Sequence, residues 1–292
     1  MILEPVLDAD AKLGEGPVWL DDAAQLVFVD IIGRRLHRYD PALKAHDAYA
    51  LPEDIGCVVP HKDGGFVAAM RSGIWRLSEV GEPTEQLAAN PEDTATSRFN
   101  DGRTDPVGRL VVGTIDESRG QGAALYRFDH RGLHRLFGGV GTSNGLAFSP
   151  DGRWMYHADT GSFAVRRFAY DPASGEIGAP EVFVQLDDAA IDRGRPDGAA
   201  VDAEGCYWTA LWDGARVQRY DPEGRLMAEF PTPALRPTMP CFGGPGLRTL
   251  FVTSARDDTG PGGAPLSGDG GQLFAMRAPT AGLPSPAFDP AA

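Results

Sequence analysis

Short apolar segments separated by turn residues run along the whole chain, and they predict strands rather than helices. Segments such as 25–30 (QLVFVD) are nearly continuous in apolar residues, as buried strands are. Segments such as 35–40 (RLHRYD) alternate polar and apolar positions, as half-exposed strands do. The chain has 37 Gly and 24 Pro, many of them between these segments, where connecting turns need them. The pattern predicts an all-β protein.

The segments recur with a period of roughly 40 to 50 residues, the range expected of repeat architectures. Several short apolar strands are followed by a turn of the Asp-x-x-Gly kind, and the residue five positions before the turn begins the strand. Asp197, five residues before the turn at 202–205, is an example. These register positions are 15, 56, 100, 144, 197 and 238, at intervals of 41, 44, 44, 53 and 41 residues. Six such repeats without a helical pattern predict one domain over residues 1–292, a six-bladed β-propeller with four-stranded blades.

Carboxylate or amide side chains occupy four of the six register positions. In a propeller the innermost strands start near one mouth of the central channel, so Glu15, Asn100, Asn144 and Asp197 are expected to converge there. Two carboxylates and two amides offer oxygen ligands that suit a divalent cation such as Ca²⁺, Mg²⁺, Mn²⁺ or Zn²⁺. Such side chains also commonly bond the ends of strands. Four at one register, three of them followed directly by Gly, favour a metal site.

Charge and composition exclude several classes of function. The net charge of −14 argues against binding to nucleic acids and to anionic membranes. No apolar segment has the length of a membrane span, and residues 1–10 lack the basic start of a signal peptide, so a cytoplasmic protein is expected. Cys57, Cys206 and Cys241 are odd in number and never in C-x-x-C spacing, which predicts buried thiols rather than disulfides or a zinc site.

Two motifs suggest other chemistry, and their surroundings argue against it. The segment 141–145 (GTSNG) matches the G-x-S-x-G pattern of a serine nucleophile, but that motif needs a following helix, and here a strand and a turn follow. His130 and His134 flank a predicted hairpin turn at 131–132 and are not expected to share a metal. The stretch 258–271 is Gly-rich and lacks periodicity, which predicts a surface loop.

Ten short motifs follow one another in a fixed order across nearly the whole chain. They are 13–19 (LGEGPVW), 98–102 (RFNDG), 105–109 (DPVGR), 113–114 (GT), 143–145 (SNG), 149–152 (SPDG), 196–198 (PDG), 201–205 (VDAEG), 241–244 (CFGG) and 254–256 (SAR). In this set and order the chain resembles the gluconolactonase/regucalcin (senescence marker protein) family of six-bladed propellers. The resemblance implies one divalent metal held by Glu15, Asn144 and Asp197, and contacts of Arg98 and Asn100 with a sugar lactone.

The resemblance also bears on substrate and metal. Regucalcin has a further substrate-contacting Glu after its Gly-Thr motif. Here the stretch 113–118 reads GTIDES, so the direct match falls on Ser118 while Glu117 is the nearest carboxylate. We predict Glu117 as the contact and keep Ser118 as the alternative. The segment 212–214 (WDG) is similar to the xylonolactonase-like branch, which favours a pentonolactone. The metal stays open among Ca, Zn, Mg, Mn and Fe.

These observations predict a metal-dependent carboxylic ester hydrolase. It would open a sugar 1,4- or 1,5-lactone, such as a glucono-, xylono- or arabinonolactone, to the aldonic acid. Asp197 is predicted both to ligate the metal and to accept a proton from the attacking water. Two alternatives stay open: hydrolysis of another ester or lactone class, such as phosphotriesters or acyl lactones, and a non-catalytic calcium-binding or protein-interaction propeller. The expected partner is the small sugar lactone, and the protein is expected to be a monomer or a small homo-oligomer.

Overall fold

The computed structural model describes residues 2–187, 194–256 and 268–292, and these residues form six antiparallel sheets of four strands each. Within those ranges the only helical elements are two single 3₁₀ turns, Thr160–Ser162 and Pro245–Leu247. The sheets follow one another along the chain, and the innermost strand of each contacts the innermost strand of the next. This arrangement is a six-bladed β-propeller, and the predicted fold is confirmed.

The described residues contain 24 strands, numbered here in chain order. The first is β1 (Glu4–Asp8), and blade one follows it with β2 (Gly14–Leu20), β3 (Gln25–Asp30), β4 (Arg35–Asp40) and β5 (Ala45–Ala50). Blade two consists of β6 (Ile55–Pro60), β7 (Phe66–Met70), β8 (Gly73–Leu77) and β9 (Pro83–Ala89). Blade three consists of β10 (Ser97–Thr104), β11 (Leu110–Asp116), β12 (Ala123–Asp129) and β13 (Gly132–Val140).

The second half of the chain repeats this order. Blade four consists of β14 (Ser143–Phe148), β15 (Trp154–Asp159), β16 (Ala164–Tyr170) and β17 (Ile177–Gln185). Blade five consists of β18 (Arg195–Val201), β19 (Tyr207–Trp212), β20 (Arg216–Tyr220) and β21 (Leu226–Pro231). Blade six takes β22 (Pro237–Gly243), β23 (Thr249–Ser254) and β24 (Gln272–Arg277) from this part of the chain.

Burial falls from the innermost to the outermost strand of each blade, and the sequence follows it. Every residue of β14 and β22 is buried, whereas most residues of β5 and β9 are exposed or half-buried. The innermost strands are surrounded by neighbouring blades, so they can carry apolar residues on both faces. The outermost strands meet water and therefore carry residues such as Asp47 and Glu85.

Apolar side chains fill all six spaces between neighbouring blades. Val29 of blade one packs in one cluster with Phe66 of blade two, and equivalent clusters join the next four pairs of blades. The space between blades six and one is filled in the same way, with the rings of Trp19 and Phe251 stacked 5.8 Å apart. The blades therefore form a closed ring, which buries both faces of every blade.

A strand from the start of the chain completes the last blade. β1 pairs antiparallel with β24, with Glu4 opposite Ala275 and Asp8 opposite Gln272. Leu3, directly before β1, is 1% exposed and packs in the cluster between blades five and six. The sequence analysis did not assign residues 4–8 to any blade. Pairing of the two ends of the chain is therefore a feature that only the structure shows.

The C-terminal segment crosses the channel at the end opposite the starts of the innermost strands. The hydroxyl of Thr104 donates to the carbonyl of Pro286 at 2.6 Å, and the N–H of Phe288 donates to the carbonyl of Pro60 at 2.7 Å. The three cysteines are buried and free, as predicted. No helix in the described residues is long and apolar enough to span a membrane. Of the loop predicted at 258–271, residues 258–267 lie outside the described residues.

We predict that closure of the ring depends on Leu3. Leu3→Ala should lower the free energy of unfolding by about 2–5 kcal/mol, because it leaves a cavity in the cluster between blades five and six. Val6→Ala, on the same stretch but 36% exposed, should change it by about 0.5 kcal/mol or less. Denaturant unfolding of both variants measures the difference. Equal effects would show that the apolar anchor before β1 does not stabilise the ring.

Candidate functional site

Each innermost strand is irregular at its register position. The pairing of β2 with β3 shifts directly after Glu15, and that of β14 with β15 shifts directly after Asn144. The other four innermost strands shift at the equivalent place. Gly16 and Gly145 have φ angles of 53° and 63°, a conformation that favours glycine. Such bulges re-aim side chains, and they explain why Gly follows these polar residues in the sequence.

The polar register residues line one cavity at the start of the innermost strands. The cavity has a volume of about 160 Å³, and its floor holds Glu15, Asn100, Asn144 and Asp197. Residues two positions earlier on the same strands line its wall, because side chains two apart on a strand lie on one face. These are Leu13, Arg98, Thr142 and Arg195, and Ile115, Thr160 and Trp212 complete the lining. The structure thus brings together the four residues that one register relates in sequence.

Glu15 and Asp197 are buried carboxylates that form no ion pair with any basic side chain of the described residues. Burial is the main cause that raises the pKa of both groups, to about 8 for Glu15. Repulsion adds to this effect, from Asp101 at Glu15 and from Glu15 and Asp101 at Asp197. The hydrogen bond from the Gly16 N–H to Glu15, 3.0 Å long, offsets only part of the rise.

Asp101 is a third acidic side chain in the channel, and the sequence analysis did not single it out. It is 5% exposed, and one of its oxygens accepts a hydrogen bond of 2.8 Å from the N–H of Leu146. Its Oδ1 has no partner among the described residues. Burial raises the pKa of Asp101, and the hydrogen bonds from Leu146 and Gly102 and the charge of Arg103 offset only part of the rise. The channel therefore holds three acidic groups whose burial is only partly compensated.

A fixed orientation gives the two asparagines different roles. The guanidinium of Arg98 donates to Asn100 Oδ1 at 2.8 Å. Asn100 Nδ2 donates to the carbonyl of Ser143 at 3.0 Å and to Asn144 Oδ1 at 2.9 Å. Because a carbonyl can only accept, the Ser143 contact fixes which end of the Asn100 amide faces Asn144. Asn100 therefore offers a donor to the floor, while Asn144 Oδ1 keeps a second lone pair.

The hydrogen-bond chain continues into the next blade. Asn144 Nδ2 donates to the hydroxyl of Thr160 at 2.8 Å, and that hydroxyl donates to the carbonyl of Pro196 at 2.9 Å. Pro196 directly precedes Asp197, so the chain of bonds runs from blade three through blade four to blade five. Thr160 was not predicted as a site residue. Its position in the 3₁₀ turn after β15 makes it the group that holds Asn144 in place.

Glu117 lies behind Arg98 rather than in the lining of the cavity. Both of its oxygens accept from Arg71, at 2.9 and 3.0 Å, and Arg98 Nε lies 3.4 Å away. The hydrogen bonds from Arg71 lower the pKa of Glu117, so it is an anion that orients two arginines. Ser118 instead bonds to Asp116 in the same turn. Direct contact of Glu117 with a substrate stays a prediction.

The serine of the G-x-S-x-G motif is buried outside the cavity. Ser143 is 1% exposed and starts β14, which continues as a strand and not a helix. Its hydroxyl lies 2.8 Å from His157 Nε2, and burial lowers the pKa of His157 to about 3. The neutral pair packs behind the floor, and its geometry agrees with the prediction that Ser143 is not a nucleophile. His130 and His134 lie on either side of the turn between β12 and β13, as predicted.

Two other features have some of the properties of a ligand site. Asp202, Glu204 and Cys206 lie close enough to share a metal, but Asp202 already accepts from Trp208 at 2.8 Å and from Arg219 at 2.8 and 2.9 Å. Asp202 is therefore already used in hydrogen bonds within the protein. A larger cavity of about 280 Å³ lies at the far end of the channel, beneath the C-terminal segment, and no carboxylate lines it. The cavity with the polar floor is the candidate site.

Comparison with known proteins agrees with this geometry. The chain matches the family model described as SGL, SMP-30/Gluconolactonase/LRE-like region, over residues 13–256. The chain belongs to this family. The resemblance predicted from the ten sequence motifs is thereby confirmed.

Three relatives of this gluconolactonase-family chain are similar over nearly its whole length. A 6-deoxy-6-sulfogluconolactonase from Pseudomonas putida is 42% identical over 292 residues, which are 98% of each chain. A pentonolactonase from Haloferax volcanii is 37% identical over 289 residues, which are 97% of each chain. The crystal structure of regucalcin from Agrobacterium tumefaciens, described as a calcium-binding protein, is 28% identical with a TM-score of 0.89 and covers 98% of this chain and 96% of that one.

The floor of this gluconolactonase-family site fits a divalent cation. Glu15 and Asp197 supply two carboxyl groups that have no ion-pair partner among the described residues, and Asn144 Oδ1 supplies a neutral oxygen that is already oriented. A set made only of oxygen donors is the kind that Ca²⁺, Mg²⁺ and Mn²⁺ prefer. Asn100 fits less well as a ligand, because its oxygen accepts from Arg98.

We predict that the metal-free protein loses stability as the pH rises. The pKa of Glu15 is raised from 4.5 to about 8 in the folded state. Above pH 4.5 the unfolded chain releases this proton while the folded protein keeps it, so stability falls until about pH 8, where both states are ionised. Melting temperatures in excess chelator at pH 5, 6.5 and 8 measure the slope.

Glu15→Gln should reduce this slope, because the amide has no proton to release in that range, while Asp197, whose pKa is also raised by burial, keeps its own contribution. Glu223→Gln, which removes an exposed carboxylate from the turn between β20 and β21, is the matched control and should keep the slope. Adding Ca²⁺ should raise the melting temperature more at pH 8 than at pH 5. A wild-type profile that does not change with pH in chelator would contradict the prediction.

Proposed function

We propose that this chain is a metal-dependent sugar lactone hydrolase that opens its substrate to an aldonic acid. The observation that carries the proposal is one cavity that combines two uncompensated carboxylates, Glu15 and Asp197, with the oriented guanidinium of Arg98. The names of the two lactonase relatives support it, since each is similar over nearly the whole length of both chains.

In this proposal Glu15, Asn144 and Asp197 hold one divalent cation at the floor. A lactone is a cyclic ester, and a bound divalent cation supplies polarisation of its carbonyl and a lowered pKa for an attacking water. Asn100 holds Asn144 Oδ1 toward the floor through its 2.9 Å hydrogen bond. The oxygen-only donors favour Ca²⁺, Mg²⁺ or Mn²⁺, and Zn²⁺ and Fe²⁺ belong in the same panel of metals.

Arg98 is assigned to the binding of the sugar. It is 7% exposed, lines the wall two residues above Asn100, and is held in place by Asn100 and Glu117. A planar guanidinium with several donors can bond two hydroxyls of a sugar ring at once. Holding the ring fixes the carbonyl over the floor, which contributes to the rate through orientation rather than through bond making.

Asp197 is assigned a second role as acceptor of a proton from the attacking water. It lines the cavity at the bulge of β18, where it would help to hold the cation and could accept a proton from a water in the same cavity. A carboxylate that binds a cation is a weaker base than a free one. The two roles are therefore separable by experiment, because only the base role needs an ionisable group.

The decisive experiment measures acid release from a panel of lactones. Purified protein is stripped with a chelator, reloaded with Ca²⁺, Mg²⁺, Mn²⁺, Zn²⁺ or Fe²⁺, and given glucono-1,5-lactone, xylono-1,4-lactone and arabinono-1,4-lactone. Rates are corrected for spontaneous ring opening. Activity that disappears with the chelator and returns with metal supports the proposal. Tight binding of Ca²⁺ without hydrolysis of any lactone would favour the non-catalytic calcium-binding alternative, which the description of the regucalcin relative motivates.

We predict that Asp197→Asn loses activity that metal cannot restore. The amide keeps an oxygen for the cation but cannot accept a proton near neutral pH. At saturating metal its kcat should stay about 10²- to 10⁴-fold below the wild type. Glu15→Gln, a change at a residue assigned as ligand only, should recover most of its kcat once loaded. Metal content is measured directly in both variants. Near-complete recovery of Asp197→Asn would assign Asp197 as a ligand alone.

A further inference from the structure

Two arginines, Arg98 and Arg195, line the wall of the cavity two positions before the register, and around Arg98 the charged residues of blades one to three pair with one another. Asp54, which precedes Gly56 by two, accepts from Arg71 at 2.7 Å. Arg71 and Arg98 both contact Glu117, at 2.9 and 3.4 Å. Arg34 also donates to Asp54, at 2.9 Å, so each of these three arginines has an acidic partner.

Blade five differs, because Arg195 has no acidic partner among the residues that the structure describes. Arg195 precedes Asp197 by two, is exposed, and lines the cavity. Its guanidinium carbon lies 5.9 Å from the centroid of the Phe163 ring. Trp212 is its neighbour on β19 and lines the same cavity, and the guanidinium of Arg236 stacks on that indole at 4.8 Å.

We propose that Arg195, with Trp212 beside it, binds an oxyanion substituent of the substrate, a sulfonate or a phosphate. The substituent would sit at the end of the sugar chain that is remote from the lactone carbonyl. A guanidinium matches the oxygens of such groups with paired donors. Arg236 is the weaker candidate, since it already pairs with Asp213 at 2.7 Å. The inference rests on the proposed lactonase function of the same cavity.

The placement of the two arginines gives the substrate a direction. Arg98 belongs to blade three and Arg195 to blade five, so they enter the cavity from either side of blade four. In this proposal Arg98 holds the sugar ring with its carbonyl over Glu15 and Asp197, and the far end of the sugar extends toward Arg195 on blade five. A neutral lactone would leave Arg195 without a partner there.

The cavity also has room and positive charge on that side. Past Leu13 and Trp212 it continues into a depression of about 460 Å³ whose lining includes Lys12 and Arg256. Arg256 pairs with Asp10, and Lys12 adds a further cation. The chain as a whole has a net charge of −14, so a basic wall beside the site is a local exception.

Equilibrium binding tests the proposal without relying on turnover. Gluconate and 6-phosphogluconate, the products expected from the matching lactones, are titrated calorimetrically into the Ca²⁺-loaded protein, and 6-deoxy-6-sulfogluconate forms a third arm. The phosphate or the sulfonate ligand should bind about 10- to 100-fold more tightly than gluconate, the range for a charge-assisted hydrogen bond. Whichever of these two ligands binds more tightly identifies the substituent as a phosphate or a sulfonate. Arg195→Gln should remove most of this preference, and raised salt should reduce it.

Two further variants separate local recognition from net charge. Arg195→Lys should keep part of the preference, because it keeps the cation but lacks the planar fork. Arg225→Gln removes the same charge from the same blade in the turn between β20 and β21, where the Arg225 side chain is 74% exposed, and should keep the full preference. Equal binding of all three ligands by the wild type, or an unchanged preference in Arg195→Gln, would overturn the proposal.

Kinetics distinguish this proposal from the function on which it rests. If lactones are hydrolysed, the ratio of kcat/KM for gluconolactone 6-phosphate or 6-sulfonate to that for gluconolactone should fall about 10- to 100-fold in Arg195→Gln. A purely structural effect would lower both values equally, and that result would count against the subsite. If no lactone is hydrolysed but the binding preference depends on Arg195, the anion subsite stands and the lactonase proposal fails.

Discussion

The structure depends on closing a ring of six sheets. Each blade has two apolar faces, and a blade at the end of an open row would expose one of them to water. Pairing of β1 with β24 fixes the last blade against the first, and the cluster around Trp19 and Phe251 seals the final space. Closure also forms the site, because Glu15 and Asp197 come from blades one and five, which are neighbours of blade six. Without the ring these carboxylates would not share a cavity.

The repeat could be predicted from the sequence because every blade has the same local pattern of strands and turns. Each innermost strand combines a register residue, a bulge and a buried segment with a tight turn after it, and these signals lie within one short stretch of sequence. The pairing of Glu4 with Ala275 gives no such local signal. The segment 4–8 is short and mostly exposed, and its partner strand lies at the other end of the chain. Long-range pairing is fixed by the closure of the ring and not by local pattern.

The same distinction holds within the candidate site. Asp101 follows Asn100 in a stretch that looks like turn chemistry, and only the bulge in β10 shows that it faces the channel with one oxygen unpaired. Arg195 could have been found from sequence alone. It precedes Asp197 by two, as Arg98 precedes Asn100, and residues two apart on a strand share a face. Because side chains two apart on a strand share a face, the register that relates the residues of the floor also relates those of the wall.

The floor of the cavity is acidic and its wall at Arg195 is basic. Binding of a cation at the floor is therefore coupled to binding of an anionic substrate at the wall. Above about pH 8, where Glu15 is ionised without a cation, the carboxylates of the floor repel an anionic substrate and oppose the attraction of Arg195. A divalent cation bound by Glu15 and Asp197 would cancel their charge and remove that repulsion. Metal and an anionic lactone or aldonate would therefore strengthen each other's binding, and because linkage is reciprocal, the factor must be the same in both directions. A neutral lactone would show a smaller coupling, since it lacks the charge on which the floor acts.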